Sequence, residues 1–298
     1  MSKQLIKSTA TVSSLTFSSR VLGFIRDVAF AQVLGASSGF DAYVVATKIP
    51  NFMRQLFAEG AFSQAFVPVL SHYHANHKPA EVTLFMQRVL GLITIALAVV
   101  TVLGMFAAAY WVRLFAPGLA NDPAQLHLTT HLLRITFPYL FFISWVAFSG
   151  AVLNCLGRFV VMAATPVLLN IVLISAAYWG TNHVSPKVEA LAIGVMIAGV
   201  MQWLFQLPFL RRAGFAFRPR LNWHDAGVRR VLKLMVPGLF GVSVAQISAM
   251  IDTWFASYLH GGSISWLYYS DRLTYFPLGV MGVAIATVIL PHLSKQHA

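Results

Sequence analysis

Apolar residues run along this chain in blocks too long for the interior of a water-soluble domain. Four windows, Val89–Val112, Ile135–Gly157, Phe159–Asn182 and Ala190–Leu210, are almost free of charge. Each passes the roughly 20 apolar residues that carry a helix across a bilayer core about 30 Å thick. Leu234–Ile251 and Leu273–Pro291 are nearly as clean, while Ser8–Leu34 and Phe40–Leu70 stay apolar overall but are broken by charges. The pattern predicts an all-α integral membrane protein with about eight transmembrane helices. The longest connection, Arg211–Lys233, is basic, and its Trp223–Val231 portion predicts a short amphipathic helix at a membrane surface.

Composition narrows the class. Of 298 residues, 58% are hydrophobic and 10% charged, against about 25% charged in an ordinary soluble domain; the mean hydropathy is +0.71. The net charge of +12 would suggest nucleic acid in a soluble chain, but its placement argues otherwise. If the spans alternate, the basic residues of Arg211–Lys233 fall on the same side as Lys3, Lys7, Lys78, Arg88 and Arg158, with only Arg113 and Lys187 opposite. That asymmetry orients a membrane protein with both termini in the cytoplasm and sets the basic side against anionic lipid headgroups. Arg20 in the middle of the first apolar stretch argues against a cleaved signal peptide. Cys155, the single cysteine, allows no internal disulfide and reads as a small core residue. Pairs of Trp and Tyr at 110–111, 178–179 and 266–269 fit interfacial belts.

Residues 33–73 and 258–296 share an order of features: an apolar helix end, a Gly/Ser turn, an aromatic-rich helix start, an intramembrane charge and a terminal proline. Repeated halves are a common transporter architecture, with the substrate site between them.

The chemistry lies in charges at membrane depth. Arg20, Arg26, Asp27, Asp41, Lys48, Arg54, Glu59, Asp252, Asp271 and Arg272 all fall in the first, second, seventh and eighth stretches. A charge at the bilayer centre costs roughly 2.5–3.5 kcal/mol on insertion scales, so these groups must face one another or a wet cavity. Arg20 and Asp27 share a helix face, as do Asp41 and Lys48, and each set predicts an ion pair. Arginine predominates among the bases, and its planar fork matches a phosphate bidentately. One reading is a cavity for an anionic, phosphate-bearing substrate; the other is a set of buried ion pairs that only fixes helix register. Elsewhere, HYHANH at 72–77 reads as a solvated loop rather than a metal site. No phosphate-binding loop, nucleophile elbow or zinc motif occurs, so neither catalysis nor a cofactor is expected.

The motifs SSRVLGFIRD (18–27), FDAY (40–43), KIPNFMRQLFAEGAFSQAFVPVL (48–70), ITFPYL (135–140), LNWHDAG (221–227), GVSVAQIS (241–248) and SWLYYSDRLTYFPLGVMGVAIATVILP (265–291) resemble the MurJ (MviN) lipid II flippases. These belong to the multidrug/oligosaccharidyl-lipid/polysaccharide exporter superfamily. The resemblance covers essentially the whole chain. It implies an undecaprenyl-diphosphate-linked peptidoglycan precursor as substrate, moved across the bacterial cytoplasmic membrane by alternating access. By motif it places substrate contacts on Arg20, Arg26, Arg54 and Arg272, and gating or cavity roles on Ser19, Asp27, Asp41, Lys48, Glu59, Asp252 and Asp271. Family members have fourteen spans. On that pattern 1–212 is a six-helix amino-terminal lobe, 213–233 a cytoplasmic linker and 234–298 the first two helices of a second lobe. The resemblance therefore also admits a chain completed by a separate polypeptide. The alternatives are an exporter of another lipid-linked glycan, and a non-transporting remnant or interaction subunit that meets cell-wall synthesis proteins.

Overall fold

The computed structural model describes residues 3–278, with side chains from Ala10 onward except at 57–59, 242, 244 and 245. The described residues form helices joined by turns. The first, α1 (Lys3–Leu34), takes in the predicted Ser8–Leu34 stretch. A turn at Gly35, whose φ of 61° suits glycine, leads to Ser37, which caps α2 (Ser38–Arg54) by accepting from the Phe40 amide at 3.2 Å.

Phe40–Leu70 is not one unbroken helix. After α2 the chain takes a wide π-helical turn, Gln55–Gly60, and then resumes as α3 (Ala61–Asn76). Inside α2, Pro50 cannot bond the Ala46 carbonyl, and Thr136 Oγ1 donates to that carbonyl instead at 2.7 Å. HYHANH lies mostly in the last turns of α3 rather than in a loop, and His77 pairs with Glu81 at 2.8 Å.

The predicted Val89–Val112 span is likewise divided, at Ala107, into α4 (Pro79–Phe106) and α5 (Ala108–Phe115), followed by the short α6 (Pro117–Ala120). Next come α7 (Pro123–Thr136), α8 (Tyr139–Cys155), α9 (Phe159–Tyr178) and α10 (Lys187–Arg212). Among the described residues, four stretches are long and apolar enough to cross a membrane: Pro79–Phe106, Pro123–Cys155, Phe159–Asn182 and Lys187–Arg212. They match the third to sixth predicted spans. A fifth is reached if Ala226–Gly241 and Gln246–Ala256, bent by 47° to each other, count as one. The expected eight are therefore not all met among the described residues. The α1 stretch is long enough, but its Ser/Thr run and its charges lower its hydropathy, and most of Leu273–Pro291 lies outside the described residues.

The linker is not a free connection ending in a separate surface helix. Residues 213–225 lie along α4, where the Arg220 amide donates to the Gln87 carbonyl at 3.0 Å. Gly91 makes this approach possible, because a Cβ there would stand 2.1 Å from the Arg220 carbonyl oxygen. Asp225 then caps α11 (Ala226–Ala256) by accepting from the Val228 amide at 3.0 Å and pairs with Arg88. The predicted Trp223–Val231 helix is thus mainly the opening of α11, because no stop signal falls between Val228 and Val236, and the helix runs on past Pro237. A glycine turn at Gly262, φ 94°, leads into α12, helical over 263–278.

Packing sorts the side chains into two cores. One gathers Phe30, Phe40, Ile49, Leu132, Leu133, Phe137 and Leu140. The other gathers Phe62, Phe66, Phe85, Leu90, Phe148, Leu210, Phe215 and Val228, with Phe66 and Phe148 rings 5.2 Å apart. Helix α1 packs on α9, α10 on α8 and α9, α2 on α7, and α3 on α11. The two copies of the internal repeat meet at their glycine turns, which sets the start of α12 against the start of α2.

A charged cavity between the first, second and last described helices

A cavity of about 610 Å³ opens among α1, α2, α7–α12 and the turn at Gln55. Its charged lining is Arg26, Lys48, Arg54, Asp271 and Arg272, with Thr47, Asn51, Gln55, Thr136, Gln202, Gln246 and Tyr268 among its polar groups. Five of the eleven predicted site residues have thus been brought together from segments more than 200 residues apart.

Asp27 is the hub, although it does not itself line the cavity. One of its oxygens accepts from Arg26 Nε at 2.9 Å and Arg26 Nη2 at 2.7 Å, and from the Tyr268 hydroxyl at 2.8 Å. Its other oxygen stands 3.6 Å from Arg272 Nε. Asp27 is buried, as is most of the Arg26 side chain, whereas 48% of the Arg272 side chain is exposed. The Arg272 guanidinium lies over the Tyr268 ring, 5.0 Å from its centre, and that of Arg26 lies 5.7 Å from the centre of Phe30. One carboxylate therefore ties the buried arginine of α1 tightly and the half-exposed arginine of α12 loosely.

Lys48 reaches across to α11, donating to Thr253 Oγ1 at 2.6 Å. Arg54 Nε donates to Asn51 Oδ1 at 2.8 Å. Asp41 does not pair with Lys48. It caps α12 instead, accepting from the Gly262 amide at 2.5 Å, the Ser265 amide at 2.7 Å and the Ser265 hydroxyl at 2.5 Å. Nor does Asp27 pair with Arg20, which is exposed and does not line the cavity. The reason is the same in both cases. Seven residues put two groups on one face but separate them by roughly 10 Å of helix rise, so a nearer partner wins.

Ser19 contributes through its backbone carbonyl, which accepts from Asn170 Nδ2 at 2.9 Å. Asp252 sits on an exposed face of α11, beside the Lys48 partner Thr253 and not in the lining. The Glu59 side chain lies outside the described residues. Tyr268, expected in an interfacial belt, is turned inward, while Trp266 is 68% exposed. Pattern reading also passed over Asn170, a lone amide in an otherwise apolar span, and such an isolated polar residue was the signal available. Among the described residues, no cluster of His, Cys, Asp and Glu could hold a metal ion.

Fold and site together define a multi-span helical membrane protein with a chamber of fixed charge between its first helices and its last described ones. A family model described as lipid II flippase MurJ matches residues 30–298, and the chain belongs to that family. A protein of Vibrio cholerae described as a probable lipid II flippase MurJ is 49% identical over 304 residues, covering all of this chain and 58% of its own length. One of Burkholderia cenocepacia, described as lipid II flippase MurJ, is 41% identical over 98% of this chain and 58% of its own. A solved structure titled lipid II flippase MurJ, inward closed conformation, has a TM-score of 0.81 at 30% identity, over 96% of this chain and 59% of that one. The chain therefore spans a little under three-fifths of the relatives it matches. The family is one of lipid transporters, not enzymes.

Proposed function

We propose that this chain forms the headgroup chamber of a flippase that carries the undecaprenyl-diphosphate-linked peptidoglycan precursor across the bacterial cytoplasmic membrane. The observation that carries the reading is the gathering of Arg26, Arg54, Arg272 and Lys48 around one cavity. Guanidinium groups bind phosphate oxygens as two-pronged donors. In a partly dry chamber that pairing is stronger than in water.

The ties around Asp27 suggest how binding would be felt. Arg272, held only at 3.6 Å and half exposed, is the arginine a diphosphate draws away from Asp27 first. Drawing it away loosens the contact between α1 and α12, the helices that border the chamber on that side. In this reading 1–212 is the amino-terminal lobe, 213–233 the linker and 234–298 the beginning of a second lobe. The basic linker and both termini face the cytoplasm, and the Gly35 and Gly262 turns face outward.

The test is a chimera of this chain with the remaining carboxyl-terminal part of the Vibrio cholerae relative, supplied to a strain depleted of its own lipid II flippase. Growth is expected with the native residues and is lost with Arg26→Ala or Arg272→Ala. Normal growth with both substitutions would refute the chamber.

A further inference from the structure

We infer that Asn170 of α9 is a positioning residue for the chamber, holding the Arg26 guanidinium so that its remaining donors face a phosphate. The inference rests on the anion-binding reading above and adds to it a residue that touches no substrate.

Arg26 has five N–H donors. Asp27 takes the Nε donor and one on Nη2, and Asn170 Oδ1 takes one on Nη1 at 3.0 Å. One donor remains on each Nη, which leaves the guanidinium two N–H groups for phosphate oxygens. Phe30 supports the guanidinium, with its ring centre 5.7 Å away. The side chain is thus restrained by its own helix through Asp27 and by a second helix through Asn170.

The orientation of the Asn170 amide follows from its partners. Arginine can only donate, so the atom facing it is the carbonyl oxygen, and the Ser19 carbonyl can only accept, so the atom facing it is the amide nitrogen. Asn170 is 4% exposed, and both ends are engaged by α1. Gly23, one turn before Arg26, faces the same amide, and a Cβ there would lie 3.7 Å from Asn170 Nδ2, an ordinary contact, so the approach does not depend on glycine. An amide fits this place for a further reason. A carboxylate would also accept from Arg26, but it would add a negative charge where a phosphate must bind and would face the Ser19 carbonyl without a donor.

That difference supplies the test. The full chain is purified in detergent with Asn170 native, Asn170→Leu or Asn170→Asp, and binding of inorganic pyrophosphate and thermal unfolding are measured for each. A positioning role predicts that Leu weakens pyrophosphate binding about tenfold, the equivalent of one hydrogen bond to a charged group. Asp is expected to weaken it more, although Asp keeps the Arg26 contact and unfolds at a higher temperature than Leu. Affinity and stability then rank the two variants in opposite orders. If Leu binds as tightly as the native chain, or if affinity merely follows stability, the role is packing and the inference is overturned. A native chain that fails to bind pyrophosphate overturns the anion-binding reading itself, and this inference with it.

Discussion

At the scale of single residues, the chamber rests on a carboxylate that neutralises more than one base. Removing it leaves Arg26 buried without its counter-ion, the circumstance in which breaking a pair costs about 3–5 kcal/mol. Asp27→Ala should therefore lower the unfolding temperature of the purified chain markedly. The double substitution Arg26→Met with Asp27→Leu should cost less than Asp27→Ala alone, because the stranded charge leaves with its partner. A thermal unfolding series that found the double variant the less stable would contradict this account. The identity of the charged residues could be read from the chain, since charge in apolar stretches must be sheltered. Their pairing could not. Face-sharing pointed Asp27 to Arg20 and Asp41 to Lys48, whereas Asp27 took the adjacent Arg26 with Tyr268, and Asp41 took the turn at Gly262. Those partners are remote in sequence or masked by a shorter route.

Among elements, two junctions decide how the helices are held. Asp41 lies in the first turn of α2 and caps the start of α12, so one carboxylate meets the positive ends of two helices. Asp41→Ala should expose the Gly262 and Ser265 amides to hydrogen exchange, with their protection falling by roughly one to three orders of magnitude, while the middle of α2 stays protected. Unchanged exchange at those two amides would remove Asp41 from the junction. At the other end of the bundle the linker depends on Gly91. Gly91→Leu forces the segment near Arg220 away from α4 and should make Arg218 and Arg220 readily cut by trypsin in the folded chain, where the native linker resists. Helix existence was legible from hydropathy, but the breaks were not. The π turn at Gln55–Gly60 and the interruption at Ala107 carry no proline at the break, and hydropathy alone does not place them.

The whole molecule combines a lipid-facing exterior with a wet interior. Val99 and Leu103 of α4 are 51% and 61% exposed on the outside of the bundle, in the most apolar of the four spans, whereas Arg54 and Arg272 line the cavity. In a Cys155→Ser background, Arg54→Cys and Arg272→Cys should react with a charged thiol reagent in membranes, and Val99→Cys should stay inert. Equal reaction at all three positions would undo the assignment of exterior and chamber. The class of protein and the existence of its middle spans were settled by composition and hydropathy, because the bilayer imposes a length and a polarity on any helix that crosses it, although Val89–Val112 became Pro79–Phe106 and Ile135–Gly157 became Pro123–Cys155. Which charges share a chamber, which carboxylate caps a helix and which amide steadies an arginine were decided only by the tertiary structure. Those relations join α1 or α2 to α9, α11 and α12 across long separations, and distance between side chains is a property that periodicity within one helix does not contain.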